Sequence, residues 1–208
     1  MDVVVDGERN FTLTRNPESV LAAVAAVDEY LRERGRAILS VKVDGKSVPY
    51  TDLVDTLGDK PVDQVEQLVV DSAEMAALVR TTLEELHNAA PELPQACRHL
   101  AEVFQGESPD AGFEPFQQLA AIWAHVKSRE ICVANALNVP LDELQLDGVS
   151  LAQVHRELND YLNEAAAAIE KRDCVLLADL LEYELAPRAE QETRIAAALE
   201  QRAQEATG

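Results

Sequence analysis

The hydrophobic positions of this chain change their period near residue 70, and the change separates two kinds of expected structure. Before it, apolar residues come in short runs: Val3-Val4-Val5, Phe11-Thr12-Leu13, and Ala37 to Val43. Short runs rich in β-branched residues predict strands. Asp6-Gly7 and Asp44-Gly45 tolerate the positive φ angles of tight turns, so each marks a strand-turn-strand unit, the second closing on Val48. Between them Val20, Val24, Val27 and Leu31 recur at helical spacing, with Asn16 as the expected cap, Pro17 in the first turn and Gly35 as the stop. A short helix is expected from Thr51 to Leu57 and one more strand from Val65 to Val70.

From Asp71 onward the spacing is helical. Asp71 with Glu74 forms an expected capping pair, and Ala76, Val79, Leu83 and Leu86 then line one face. Pro91 and Pro94 end that helix and begin a second, lined by Cys97, Leu100, Ala101 and Phe104. Gly106 to Gly112 is the clearest loop. A third long helix carries Phe116, Leu119, Trp123, Val126, Val133 and Leu137 on a heptad-like stripe, and it should stop near Asn138, ahead of Pro140. The fourth starts at Ser150, with Leu151, Val154, Leu158, Leu162 and Ala165 among its apolar positions.

Val175 to Leu185 is apolar over much of its circumference, which predicts a central helix with Leu177, Leu180 and Leu181 as structural residues. Pro187 should kink or restart it. Beyond that, Arg188 to Gly208 offers only Ile195 and Leu199 as large apolar residues, so an exposed C-terminal helix that adds little to the fold is expected. The fold class that follows is α+β. A small N-terminal α/β unit with antiparallel strands spans 1–70, and a mainly α antiparallel helical bundle with its exposed last helix spans 71–208.

Composition narrows the function more than it names one. Charged residues make up 27% of the 208, yet 38 are acidic against 18 basic, a formal charge of −20. Such a field repels phosphate backbones and anionic headgroups, so neither nucleic acid nor a membrane surface is an expected partner. A protein of basic surface would be drawn in by the same field. Cys97, Cys132 and Cys174 are odd in number and never spaced as CxxC, which points away from a disulfide framework or zinc knuckle. The acidic start has no apolar leader and no stretch approaches membrane-spanning length, so the cytoplasm is the expected compartment.

Candidate chemistry is sparse. No phosphate-binding glycine motif is present, and Gly148-Val149-Ser150-Leu151-Ala152 lacks the final glycine of a nucleophile elbow, so Ser150 with Gln153 is better taken as a capping box. Glu84 and His87 form one ExxH pair, half of what a di-iron carboxylate bundle presents, but no second pair exists. Asp173, Asp179, Glu182 and Glu184 surround the most apolar segment, where they form either a cation or acid-base pair or the wet edge of a central helix. Phe113, Phe116 and Trp123 could anchor a ligand, but their helical spacing makes them expected core.

Glu130 is the unusual residue, because the stripe through positions 116, 119, 123 and 126 continues onto it. A charge there requires a partner or water. It marks either a slight rotation of the helix or a polar specificity device or pocket wall between helices.

No residue is therefore assigned as catalytic, cofactor-binding or metal-ligating, and no cofactor is expected. The function expected first is a non-enzymatic protein-binding module: an adaptor, chaperone or regulatory subunit. A metal- or small-molecule-binding bundle using Glu84, Glu130, Asp179 or Glu182 is the second alternative. A homo-oligomer whose tail completes a neighbour's bundle is the third.

Overall fold

The structure, a computed structural model, describes residues 1–9, 11–13, 16–49 and 52–207. It has an α+β fold that divides into two compact units, Met1–Leu78 and Val79–Gly208. Strand β5 extends beyond the expected Val70 to Glu74 and helix α3 starts directly at Met75, which carries the first unit to Leu78.

The first unit is a five-stranded sheet in the order β2-β1-β5-β3-β4, built from β1 (Asp2–Val5), β2 (Glu8–Arg9), β3 (Arg36–Val43), β4 (Lys46–Val48) and β5 (Gln67–Glu74). Both Asp-Gly turns form as expected, with φ of 51° and 81° at Asp6 and Gly7 and of 50° and 79° at Asp44 and Gly45. Their aspartates do more than turn. Asp6 accepts from the Ser72 amide at 2.7 Å, and Asp44 accepts from the amides of Glu66 and Gln67 at 2.9 Å each, so both hairpins are tied to β5.

Helices α1 (Val20–Arg32) and α2 (Leu53–Leu57) bury Val20, Val24, Val27, Leu31, Leu53 and Leu57 in the core that also takes in Val41, Val43, Leu68 and Val70.

Four local expectations are corrected here. The sheet is mixed: β1 runs parallel to β5, a pairing no adjacent turn could announce. The second strand of the first hairpin is Glu8–Arg9 and not Phe11–Leu13. Helix α1 is capped by Ser19, which accepts from the Ala22 amide at 3.2 Å, because Ser19 is still extended and bridges to Pro61. Asn16 and Pro17 precede it outside the helix. Asp71 and Glu74 are strand residues and not a helix cap. Asp71 accepts from the Ser40 hydroxyl at 2.7 Å and pairs with Lys42 at 3.6 Å. Thr51, the expected start of the short helix, lies outside the described residues.

Helix α3 (Met75–Ala89) begins at the end of the first unit and continues into the second, which is otherwise helical: α4 (Leu93–Gln105), α5 (Phe113–Ala136), α6 (Leu151–Lys171), α7 (Cys174–Asp179) and α8 (Ala186–Thr207), with a small hairpin of β6 (Gln145–Leu146) and β7 (Val149–Ser150) before α6. Gly112 starts α5 where space requires glycine, since a Cβ there would stand 2.7 Å from the Phe104 ring. Ser150 caps α6 by accepting from the Gln153 amide, but the Gln153 side chain goes to Glu157 and does not complete the box.

Pro187 acts one turn early. Leu180–Leu185 is a π-turn in which the Ala186 amide reaches back five residues to the Leu181 carbonyl. That widening accommodates the missing N–H and the ring of the proline without a break in the helix.

The C-terminal helix is not the exposed tail expected. Along α8, Ala186, Ala189, Ile195, Ala196 and Leu199 are all buried in the same core as Leu177, Leu181 and Leu185, and the helix packs on α4 and α5. Small residues are the reason: an alanine face has no large apolar signature, yet it lets helices approach closely and bury area along their length. Conversely Val175 and Tyr183, counted as central, are exposed. Among the described residues no helix is long and apolar enough to cross a membrane.

Candidate functional site on helix α5

Helix α5 is 24 residues long, about 36 Å, and its two faces depart in opposite directions from ordinary amphipathic patterning. The inner face presents Phe116, Leu119, Trp123, Val126 and Val133 to the core, as the stripe predicts. Between them it also presents Lys127 and Glu130, which one helical turn brings to the same side.

Glu130 is 1% exposed and has the partners that its position demands. The Lys127 ammonium donates to its two carboxylate oxygens at 3.1 and 3.2 Å, and His155 Nε2 from α6 lies 2.6 Å from Oε2. The same ammonium donates to both oxygens of Glu192 on α8 at 2.6 and 2.7 Å. Glu192 is 2% exposed, and Lys127 and His155 are 9% and 8% exposed. Four side chains from three helices thus form one buried polar cluster.

The electrostatics follow from burial and charge. One ammonium faces two carboxyl groups. Burial, then the Glu130 carboxylate, push Glu192 up to about 9, against the opposing pull of Lys127. Burial, then Lys127, push His155 down to about 4. Burial thus disfavours the charged forms of both Glu192 and His155. Lys127 occupies the space between the carboxyl groups where a cation would sit. Among the described residues no group of three His, Cys, Asp or Glu side chains is placed to hold a metal ion.

Beside the cluster, the ammonium stands 5.5 Å from the centroid of the Trp123 ring. The indole N–H of Trp123 finds no acceptor among the described residues and lies by Cys97, whose thiol burial pushes up to about 12. Phe113 meets Phe104 edge-on at 5.6 Å, so the three aromatics are packing residues.

The outer face of α5 reverses the pattern. From Pro115 to Asn135 its exposed positions carry no Asp, Glu, Lys or Arg, although the chain bears −20. The centre of this face is Ala121, Ile122, Ala124, His125, Ser128, Ile131 and Cys132, with amide side chains towards both ends; the half-buried Arg129 at its edge donates to His125 and pairs with Glu85. Helix α6, of similar length, exposes Arg156, Asp160, Glu164, Glu170 and Lys171.

The remaining candidate residues are dispersed. Glu84 is exposed, and His87 turns from it to Glu200 on α8 at 3.0 Å. Asp173 caps α7 by accepting from the Leu176 amide. Glu184 pairs with Arg188 at 2.9 Å, Glu182 accepts from Gln105, and Asp179 faces out. Glu130 alone enters a shared site. Its partners Lys127, His155 and Glu192 were missed, although a signal existed: Glu192 falls on the heptad run 185, 189, 192, 196, 199 and His155 on 151, 155, 158, 162, as Glu130 does on its own stripe.

The fold and site define a helical unit with a charge-paired core, joined in sequence to a small α/β sheet. The chain belongs to the family described as a domain of unknown function (DUF8042), which matches residues 81–193 and so includes all four cluster residues and the whole of α5. It is similar, at 22% identity over 188 residues, to an uncharacterized protein of Treponema pallidum (strain Nichols), the match covering 90% of this chain and 92% of that protein. No solved structure matches.

Proposed function

We propose that this chain is a non-enzymatic protein-binding module of the cytoplasm that docks its partner on the outer face of α5. The observation that carries the reading is that the exposed positions of α5 between Pro115 and Asn135 hold no Asp, Glu, Lys or Arg on a chain of formal charge −20, the half-buried Arg129 being paired with Glu85. Solvent-facing helix positions are ordinarily charged, and a surface depleted of charge with Ile122 and Ile131 exposed is what the desolvated centre of an interface needs. The acidic remainder keeps the free protein soluble and steers a partner of complementary charge to its rim. The one buried cluster is closed by its own lysine, which favours a structural role for Glu130 over the metal- or small-molecule-binding alternative.

Affinity capture from native extract tests this, comparing the wild-type chain with Ile122→Glu and Ala124→Glu at low and high salt. A partner retained at high salt by the wild type and lost by both variants, whose melting temperatures match it, supports the face. A partner held equally by all three, or released by salt alone, places binding on the acidic surface and removes α5 from the reading.

A further inference from the structure

We propose that the Lys127–Glu130–His155–Glu192 cluster is a proton-held latch between α5, α6 and α8, closed while Glu192 carries a proton and loosened when that proton leaves. The case begins with charge balance. Two carboxyl groups, 1% and 2% exposed, converge on one ammonium, with contacts of 2.6 to 3.2 Å. Both cannot ionise there without leaving a net negative charge in a dry core, where an uncompensated charge is heavily penalised. One titratable proton must stay in the cluster.

Three groups could hold it, and their surroundings differ: both Glu130 oxygens already accept from Lys127, with His155 Nε2 at 2.6 Å as a further donor, so Glu130 serves as the acceptor. His155 lies at the less buried edge beside the Lys127 ammonium, which disfavours a second positive charge. Glu192 is enclosed, and its carboxylic O–H has an anionic acceptor in Glu130. The proton therefore sits on Glu192, and His155 serves Glu130 as a neutral Nε2–H donor at 2.6 Å. On opening, the Glu192 O–H bond breaks, the electron pair stays on the carboxylate, and the proton passes to water at the Lys127 and His155 edge.

Among the described residues the titratable groups against the site are these four and, from α4, the Cys97 thiol beside Trp123. Flanking the site, Arg129 pairs with Glu85 and Arg98 with Glu190, while Arg188 faces both Glu157 and Glu184, one cation against two carboxylates.

The sign of the pH effect follows. Glu192 is raised from 4.5 to about 9, so between those values the folded state holds a proton that the unfolded state has lost, and stability falls as pH rises. His155 is lowered from 6.5 to about 4, so over that span stability rises with pH. The two oppose each other up to 6.5, and above it only Glu192 remains.

Urea unfolding of the full chain between pH 6.5 and 9 is the test. In the wild type the folded-to-unfolded ratio should fall about tenfold per pH unit relative to Glu192→Gln, which keeps the neutral carboxyl shape and cannot ionise. A second measurement does not depend on that variant folding: the wild type at pH 7 should show the infrared carbonyl band of a buried carboxylic acid, lost as pH passes 9. Parallel pH slopes in wild type and Glu192→Gln would overturn the latch, and so would the absence of that band from the folded protein at pH 7.

Discussion

The inner and outer faces of α5 lie on one helix, yet each breaks the rule that the other would be expected to follow. The inner face buries two charged residues, Lys127 and Glu130, among Trp123, Val126 and Val133. The outer face exposes Ile122 and Ile131, and its exposed positions from Pro115 to Asn135 hold no Asp, Glu, Lys or Arg. On the inside, charge is tolerated because every charge is matched: Lys127 satisfies Glu130 and Glu192 together, and a proton settles the remainder. On the outside nothing within the chain requires the absence of charge, since the exposed positions have water for a neighbour. Intramolecular packing thus explains the first departure and not the second. An inner anomaly with partners is a property of the fold, and an outer anomaly without them is where a partner is to be sought.

The strongest break to this comparison is the removal of α8, which supplies Glu192 and buries Ile195, Ala196 and Leu199. Deleting residues 188–208 should abolish cooperative unfolding, because it uncovers the core cluster and strands Lys127 and Glu130 together. Circular dichroism through a thermal ramp reads this directly. A truncated chain that melts at the wild-type temperature would mean that the inner face of α5 does not depend on α8.

Next in size is Lys127→Met, which removes the only ammonium in the cluster and leaves two buried carboxyl groups facing each other. The cost should be about 3–5 kcal/mol in denaturant unfolding, the usual penalty for breaking a buried ion pair from one side. Replacing the whole cluster, by Lys127→Met, Glu130→Leu, His155→Phe and Glu192→Leu together, should recover most of that loss, because apolar packing substitutes well for buried ion pairs. If the single change is harmless, water must already reach the site.

Leu181→Ala probes the inner core without touching charge. Leu181 is fully buried in the π-turn before Pro187, and its truncation should cost about 2–5 kcal/mol. A truncation without cost would show that the core around the π-turn relaxes to fill the space.

How far this site was legible depends on what the residue pattern could encode. Heptad continuation located Glu130 as a charge in need of a partner, because large apolar neighbours define a stripe whose next position can be counted. The same counting did not reach Glu192. Its stripe is Leu185, Ala189, Ala196 and Leu199, and alanines do not distinguish a close-packed face from a solvated one. For that reason the residue pattern predicts an exposed tail where the structure has a buried helix. Lys127 was invisible for a different reason. A lysine one turn from a glutamate is usually a surface pair, and only the third helix, bringing Glu192, makes it a buried one.

In the first unit the Asp-Gly turns were readable because their positive φ angles need those residues. The parallel β1–β5 pair was not, since it joins strands some sixty residues apart in sequence with no local signature.

The smallest expected effect on stability is also the one that separates the two faces most cleanly. Ile131→Glu and Ala124→Glu place a carboxylate at exposed positions on the outer face, where it can remain hydrated. Surface substitutions of this kind usually stay within about 0.5 kcal/mol, so the thermal midpoint should move by little more than the error of the measurement. Binding should respond very differently, because a partner seated on that face would have to strip water from the new charge. The prediction is therefore a variant that folds as the wild type does and has lost its partner, the reverse of Lys127→Met, which should bind wherever it still folds. Unfolding and capture measured side by side on the same preparations decide it. Should Ile131→Glu lower stability as much as Leu181→Ala does, the outer face is covered by some part of this chain, and the absence of charge there is a packing requirement after all.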